Sequence, residues 1–537
     1  MKKNYFLILF LLPIILFSQT ESGILNIEAT LPYPGFGEGT PLLGSAEYKI
    51  YYSGNTAEID KPIIFVDGFD PNDSRSIPLM YSLLDYGSEN LGDVVRAEGY
   101  DLIILNFPEE YFSPTDGTTT IKGGADFIQR NAYILVELLN TINGLKVGSE
   151  ENVIIGPSMG GLISRYALAY MEDQSLDHDT RLYVSFDSPH RGANVPIGIQ
   201  YTFNYMVNGD PGTTELEPLV DGLLNSAAAK QMLIDHYLGH VDGTGVDQDG
   251  STHTPKGAPN FRDAFQTELD GLGFPSNTRN IAVTNGSGQG QLTGTPGMEL
   301  INHVFNIAAN TDATLDVHFA PLASQNITVS DIDITFFSIP LASFSATAES
   351  TAASNGLDSA PGGQFDLYSF DDGSNALVQE FVNNLNSQYF NFIPTLSGLA
   401  ISSETDWYAI PNENDSPFDN IFLPDNNEPH VKLTEGMAGN VEFILEEIRQ
   451  GSLSVSELEV TKIKLAHNPI STELVILSHQ NFNNANVRIS DLTGKIVLNS
   501  NISIIDRTVI PINLSSGLYV LNVESDNLSF KTKLVVK

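Results

Sequence analysis

Ser158 stands at the centre of Gly156-Pro157-Ser158-Met159-Gly160, a G-x-S-x-G pentapeptide. A Ser alcohol is a weak nucleophile at neutral pH and needs a positioned base. Small residues two before and two after the Ser allow a sharp, strained turn that thrusts its hydroxyl outward. The chemistry this suits is acyl transfer. The hydroxyl oxygen attacks a carbonyl, and backbone N–H groups with a helix N-terminus stabilise the oxyanion that forms. The base would be one of ten His residues. A carboxylate would orient that His and stabilise its charged form.

The flanking residues must position this turn. Val153, Ile154 and Ile155 form a short apolar run, as in a buried parallel strand. Leu162, Ile163, Tyr166 and Ala167 recur at helical spacing. Ser158 is therefore expected between a strand and a helix. The same alternation runs from about residue 24 to residue 450. Strands are expected at 61–66, 100–107, 181–187 and 280–285, and Phe127, Ile128, Leu135, Leu138, Leu139 and Ile142 mark one face of a long helix. Repeated β-α units predict an α/β fold with a doubly wound, mostly parallel sheet. Two stretches break the rhythm. Residues 198–265 hold helical pieces, such as 226–237, and Gly/Asp-rich loops; they read as a lid-like insertion. Residues 292–375 are rich in Thr, Ser and alternating apolar positions and read as a β-rich insertion. Residues 451–462 read as a linker. Residues 463–537 carry short alternating strands between Asn, Ser, Asp and Gly turns, the pattern of a small all-β sandwich.

Composition narrows the function classes. The formal net charge is −40, from 66 acidic and 26 basic side chains. That balance argues against a nucleic-acid partner and against charge-driven binding to anionic membranes. It suits the solvated surface of a secreted protein. At 537 residues and 41% hydrophobic content, the chain predicts more than one domain and a sizeable core. Residues 1–18 have a basic start, an apolar stretch and a small residue at Ser18, and predict a signal peptide cleaved near Ser18–Gln19. The apolar stretch is short for a spanning helix, and no later segment reads as transmembrane. There is no Cys, which excludes disulfides, a thiol nucleophile and Cys-metal sites. The loop 242–250 has carboxylates and glycines at loose calcium-loop spacing but no closing Glu, and reads as an acidic loop. No metal and no cofactor is expected.

Three pieces together resemble the lipase-like α/β-hydrolases: residues 156–166, then Asp187-Ser188-Pro189-His190-Arg191-Gly192, and the Asp67-Gly68-Phe69 loop. Residues 392–397 are similar to a Val-Pro-x-x-Ser stretch of acyltransferase-like lipases. The resemblance covers 60–195 well and 390–450 loosely. It implies an α/β-hydrolase fold, an ester or lipid substrate, and an acyl-enzyme formed on Ser158. The family's order of Ser, acid, His implies His430 as the base, in a loop ahead of a final helix marked by Val441, Ile444, Leu445 and Ile448. His190 follows the Ser too soon and reads as structural. After the 280–285 strand, where many members carry the acid, this chain has Asn285-Gly286-Ser287-Gly288. Asp187 is the first choice instead, with Asp406, Asp419 and Asp425 behind it. Met159 and Phe69 are the implied oxyanion-hole donors, although Asp67 stands where the family has His. The leaving group is not encoded, so amide or peptide hydrolysis by the same residues is an alternative. A third reading is a non-catalytic surface-binding protein on the same scaffold, motivated by the missing acid after 280–285 and by the β-rich insertion.

The last 75 or so residues carry a second resemblance. Asn468-Pro469, residues 487–495, residues 514–521 and the terminal 531–537 are similar to the C-terminal sorting domain of the type IX secretion system. That implies the type IX machinery as a partner and export across the outer membrane. Removal of the domain would follow, then release or attachment to the cell surface.

Overall fold

Every residue of the strand Asn152–Pro157 is buried, and its side chains divide between two cores. Val153 and Ile155 pack on one face of the sheet with Met80, Val95 and Ile444. Ile154 packs on the other with Leu135, Leu139 and Leu162. A strand covered on both faces has no polar side, which is why it reads as an unbroken apolar run. Its neighbours behave alike: Ile63 and Leu102 join the first core, Ile64 and Ile103 the second.

The computed structural model describes residues 20–241, 245–251, 253–371, 373, 375–436, 439–452, 463–465, 470–478, 482–491, 494–505, 507–525 and 528–537. The stretch 1–18 read as a signal peptide, most of the stretch read as a linker and Asn468-Pro469 lie outside these. The chain divides into two units, Met1–Gly451 and Ser452–Lys537.

In the first unit eight strands form the main sheet. They are β1 (Leu25–Glu28), β2 (Ser45–Tyr51), β3 (Pro62–Val66), β4 (Asp101–Asn106), β5 (Asn152–Pro157), β6 (Thr180–Phe186), β7 (Arg279–Val283) and, far along the chain, β14 (Asn420–Phe422). Their spatial order is β1-β2-β4-β3-β5-β6-β7-β14. β2 is antiparallel to β1 and β4, and the strands from β4 to β14 are mutually parallel. This is the strand order of the α/β-hydrolase fold. Helices α1 (Ile77–Ser82), α2 (Leu91–Ala97) and α9 (Asn440–Ser452) cover one face; α3 (Ile128–Leu145) and α4 (Met159–Asp173) cover the other. Helix α9 runs two residues into the stretch read as a linker.

The first insertion holds α5 (Ile197–Asn208), a π-helical segment Pro218–Leu224, α6 (Ala227–Met232) and α7 (Arg262–Leu272). The helix expected over 226–237 is only half that length. Ser226 caps its start by accepting from Ala229 N, and Leu233 ends it by turning extended to bridge Ala193. The second insertion is a four-stranded antiparallel meander of β8 (Glu299–Ala308), β9 (Thr311–His318), β10 (Asn326–Phe336) and β11 (Ile339–Glu349). Ala313, Leu315 and Val317 alternate inward, as one buried sheet face requires, and this face packs against α5. A two-stranded ribbon, β12 (Gly362–Asp366) with β13 (Tyr389–Pro394), and α8 (Ala376–Asn383) follow.

Among its described residues from 463 onwards the second unit is β: antiparallel sheets of three and four strands close on Ile476, Val487, Ile489, Leu521 and Val523. Among the described residues, no helix is long and apolar enough to cross a membrane.

Candidate active site

The parallel strands bring their carboxyl ends to one edge of the sheet, so residues distant in sequence meet there. The loop Asp67-Gly68-Phe69 follows β3, Ser158 follows β5, Asp187 follows β6, Asn285 follows β7 and His430 follows β14.

Ser158 has φ 52° and ψ −129°, a strained conformation for a residue with a side chain. The glycines around it are sterically required. A Cβ on Gly156 would lie 2.5 Å from the Gly160 carbonyl oxygen, and one on Gly160 would lie 2.2 Å from that of Val66. The Ser158 amide donates to Phe186 O at 2.8 Å. Its hydroxyl makes no capping bond to α4, so it is not consumed by the helix it precedes.

His430 Nδ1 lies 2.6 Å from Asp187 Oδ2. Asp187 is fully buried, and its Oδ1 accepts from the Asn285 amide at 3.1 Å. Gly363 of β12 lines the other side: a Cβ there would lie 2.0 Å from Asp187 Oδ2. The His430 loop is itself tied down. His430 N donates to Gln364 O at 2.8 Å, and Gln364 N donates to Glu428 O at 3.0 Å. Asn285 anchors the loop from both sides, accepting from Glu428 N at 2.7 Å and donating through Nδ2 to Lys432 O at 3.0 Å. Phe392 packs edge-on against the imidazole, 4.9 Å between ring centres. With the Nδ1 hydrogen given to the carboxylate, Nε2 is the free basic nitrogen. It is buried without a protein partner, and His430 and Ser158 line the same cavity. Among the described hydrogen bonds there is none directly between them.

The Asp67-Gly68-Phe69 loop lies against the turn. A Cβ on Gly68 would sit 3.2 Å from Ser158 Cβ and 3.7 Å from Met159 N. The backbones that carry the Phe69 and Met159 amides are thus close neighbours. Arg75 braces this loop, with Nη2 at 3.2 Å from Asp67 Oδ1 and donating to Phe69 O at 2.9 Å. Burial pushes the Asp67 carboxyl up to about 6, against the opposing pull of Arg75.

The other candidate acids are engaged elsewhere. Asp406 accepts from Tyr408 N at 3.1 Å and Asp419 from Asn280 N at 2.8 Å. Among the described residues neither they nor Asp425 bonds His430. His190 is fully buried; its Nε2 lies 2.7 Å from Ser185 Oγ, and burial holds its pKa well below the usual histidine value. Of the acidic loop at 242–250, residues 242–244 lie outside the described residues, and Asp249 is spent on the amide and hydroxyl of Ser251. Among the described residues, Glu299, Asp316 and His318 have the spacing to hold a metal ion. They sit on the β8–β9 hairpin, and none lines the Ser158 cavity. Three residues that shape the site escaped sequence reasoning. Asn285 stood out only for lacking a carboxylate. Gly363 offered a hint in the Gly362-Gly363 pair, since adjacent glycines in a strand mark a close approach. Arg75 offered none.

No curated protein matches the chain. Among solved structures, an esterase of Pyrobaculum calidifontis is similar at 11% identity over 39% of this chain and 57% of its own, with a TM-score of 0.23. A peroxisomal α/β-hydrolase of Saccharomyces cerevisiae is similar at 12% identity over 49% and 74%, with a TM-score of 0.26. A thermophilic carboxylesterase cloned from a metagenomic library is similar at 10% identity over 50% and 70%, also with a TM-score of 0.26. The chain thus spans little more than half the length of the Pyrobaculum esterase, and the fold assignment rests on the strand order. Residues 467–537 match the secretion system C-terminal sorting domain. The protein joins an α/β-hydrolase-fold unit to a C-terminal sorting domain of the type IX secretion system, and is exported to the cell surface or the medium.

Proposed function

We propose that the protein is a secreted serine hydrolase that cleaves carboxylic esters. The observation that carries this reading is the 2.6 Å contact between His430 Nδ1 and Asp187 Oδ2, in a site whose cavity also holds the strained Ser158. Ser158 Oγ attacks the ester carbonyl while His430 Nε2 takes its proton. The carbonyl's electron pair moves onto oxygen, and the Met159 and Phe69 amides hold that charge. The pair returns, the acyl–oxygen bond to the alcohol breaks, and His430 gives its proton to the leaving alkoxide. Water then repeats the sequence on the acyl-enzyme and releases the acid. Asp187 keeps the imidazole in the required tautomer and stabilises its charged form; Asn285 and Gly363 hold Asp187 in place.

The close approach of Gly68 to Ser158 and Met159 supports the two-amide hole. Asp67 in place of the family's His does not remove a donor, because the donors are backbone groups. The non-catalytic reading drew on the absence of an acid after β7. Here Asn285 of that loop donates to Asp187 instead, which favours the catalytic reading. A panel of ester and amide substrates tests the proposal, with Ser158→Ala as the control. Ester hydrolysis lost in the variant is the expected result. Amide hydrolysis alone would replace the reaction class, and no turnover of either would reject the proposal.

A further inference from the structure

Among the described residues, the cavity of about 200 Å³ that holds Ser158 and His430 is polar at four side chains: Asp67, Arg75, Ser158 and His430. Asp67 and Arg75 pair with each other. The rest of its wall is apolar and extends along Met80, Leu83, Leu84 and Leu91, towards α1 and α2. Phe69, Phe365 and Phe392 line it too, and the same three rings line a second cavity of about 80 Å³. Every side chain around that second cavity is apolar, including Phe203 of α5, Leu223 of the π-helical segment and Met232 of α6. A third space of about 30 Å³ shares Phe203 and Phe370 with the second and ends against Phe305 and Leu315 of the β8–β11 meander. A row of mostly apolar cavities, divided by shared phenylalanine rings, therefore runs from the nucleophile into both insertions.

An ester has two substituents on its carboxyl group, and each must lie somewhere when the carbonyl reaches Ser158. Apart from the Asp67–Arg75 pair, the lining residues of α1 and α2 and those around the phenylalanine rings are apolar. Apolar space accepts apolar groups, whereas a sugar or glycerol hydroxyl placed against these side chains would lose its hydrogen bonds without replacement. Resting on the serine-hydrolase reading above, we infer that the substrate is a neutral ester with hydrocarbon on both sides of the carboxyl group. One chain passes the Phe69, Phe365 and Phe392 rings into the space beneath α5 and α6. The other lies along α1 and α2. The two insertions thereby acquire a role, as the walls of one arm.

Two ester series test this on the full-length protein, below each ester's solubility limit. One lengthens the acyl group of a butyl ester, and the other lengthens the alcohol of a butanoate. The expected result is that kcat/KM rises in both series, by up to roughly fourfold per methylene. Leu223→Trp should flatten one series and Leu83→Trp the other. Leu83 is 57% exposed, so its replacement puts little of the fold at risk. A fall with length in either series would overturn the inference, as would glyceryl butanoate matching butyl butanoate. Should no ester be cleaved, the ester-hydrolase reading fails, and calorimetry on Ser158→Ala decides the arms separately. Dibutyl ketone should bind at least about tenfold more tightly than diethyl ketone, since four more methylenes are buried. Equal affinities would refute the two arms.

Discussion

At the residue scale the proposed catalysis turns on Asp187 and His430. Asp187→Asn preserves the shape of the pair but replaces an acceptor-only carboxylate with an amide, which also stabilises the wrong tautomer. The variant should fold, with an unchanged melting temperature to within a few degrees, and lose about two to four orders of magnitude in kcat. Unchanged turnover would mean that the acid lies elsewhere. Asp67 gives a separate expectation. Its carboxyl is raised from 3.8 to about 6, chiefly by burial. The folded state therefore holds this proton more tightly than the unfolded chain does. Its contribution favours folding below about pH 4 and is lost as pH rises to about 6, with an effect of at most about 3 kcal/mol. Asp67→Asn should lose less melting temperature than the wild type between pH 4 and pH 7. Asp126 and Asp358, also raised to about 6 by burial, keep their share in the variant. Parallel melting curves for the two proteins would contradict the assignment. Ser158 was legible in the sequence because every requirement of its turn is local: an apolar run, two glycines and a helical repeat. Asp187 and His430 lie 243 residues apart, and only the order of the family's residues linked them. Asn285 acquires its role through tertiary contacts and Arg75 by folding back within its own loop onto Asp67 and Phe69, which no motif in the chain records.

At the element scale the site is a set of strand ends held in register by loops that cross from distant parts of the chain. The β12–β13 ribbon is the least expected of these. It brings Gly363 against Asp187 and seats the His430 loop on Gln364. Gly363→Ala should push the carboxylate away from His430. We expect kcat to fall by roughly tenfold to a hundredfold, since sub-ångström misplacement of a catalytic group is costly, and stability to fall by about 1–3 kcal/mol from overpacking. Gly23→Ala, where a Cβ would meet nothing within 4 Å, is the matched control and should alter neither. Equal kinetics in both variants would remove Gly363 from the positioning of the acid. The parallel strands were readable because burial on both faces leaves nothing but apolar residues. The ribbon was not: it is short, and its pairing with a loop from β14 depends on the completed sheet. Helix α6 was overextended because Leu233 continues the apolar spacing while its backbone is drawn into a bridge with Ala193.

At the scale of the whole molecule the chain combines an export address with a hydrolase scaffold. The sorting domain at 467–537 accounts for export, and the net charge of −40 suits an exterior, solvated life. We expect protein recovered outside the native host to lack residues 1–18 and most of 463–537, as intact-mass measurement would show; a full-length C-terminus there would contradict processing. We further expect a chain of residues 20–452, ending with α9, to fold and keep the activity, because Ile448 O accepts from Arg181 at 2.7 Å and ties the last helix into the sheet. Insolubility of that chain beside stable full-length protein would place the boundary elsewhere. The most direct measurement of the central claim is covalent labelling by a fluorophosphonate, followed by peptide mapping. One adduct is expected, on Ser158, absent in Ser158→Ala and slowed by about two or more orders of magnitude in Asp187→Asn. Failure of the wild-type protein to react, or an adduct on another residue, would contradict it.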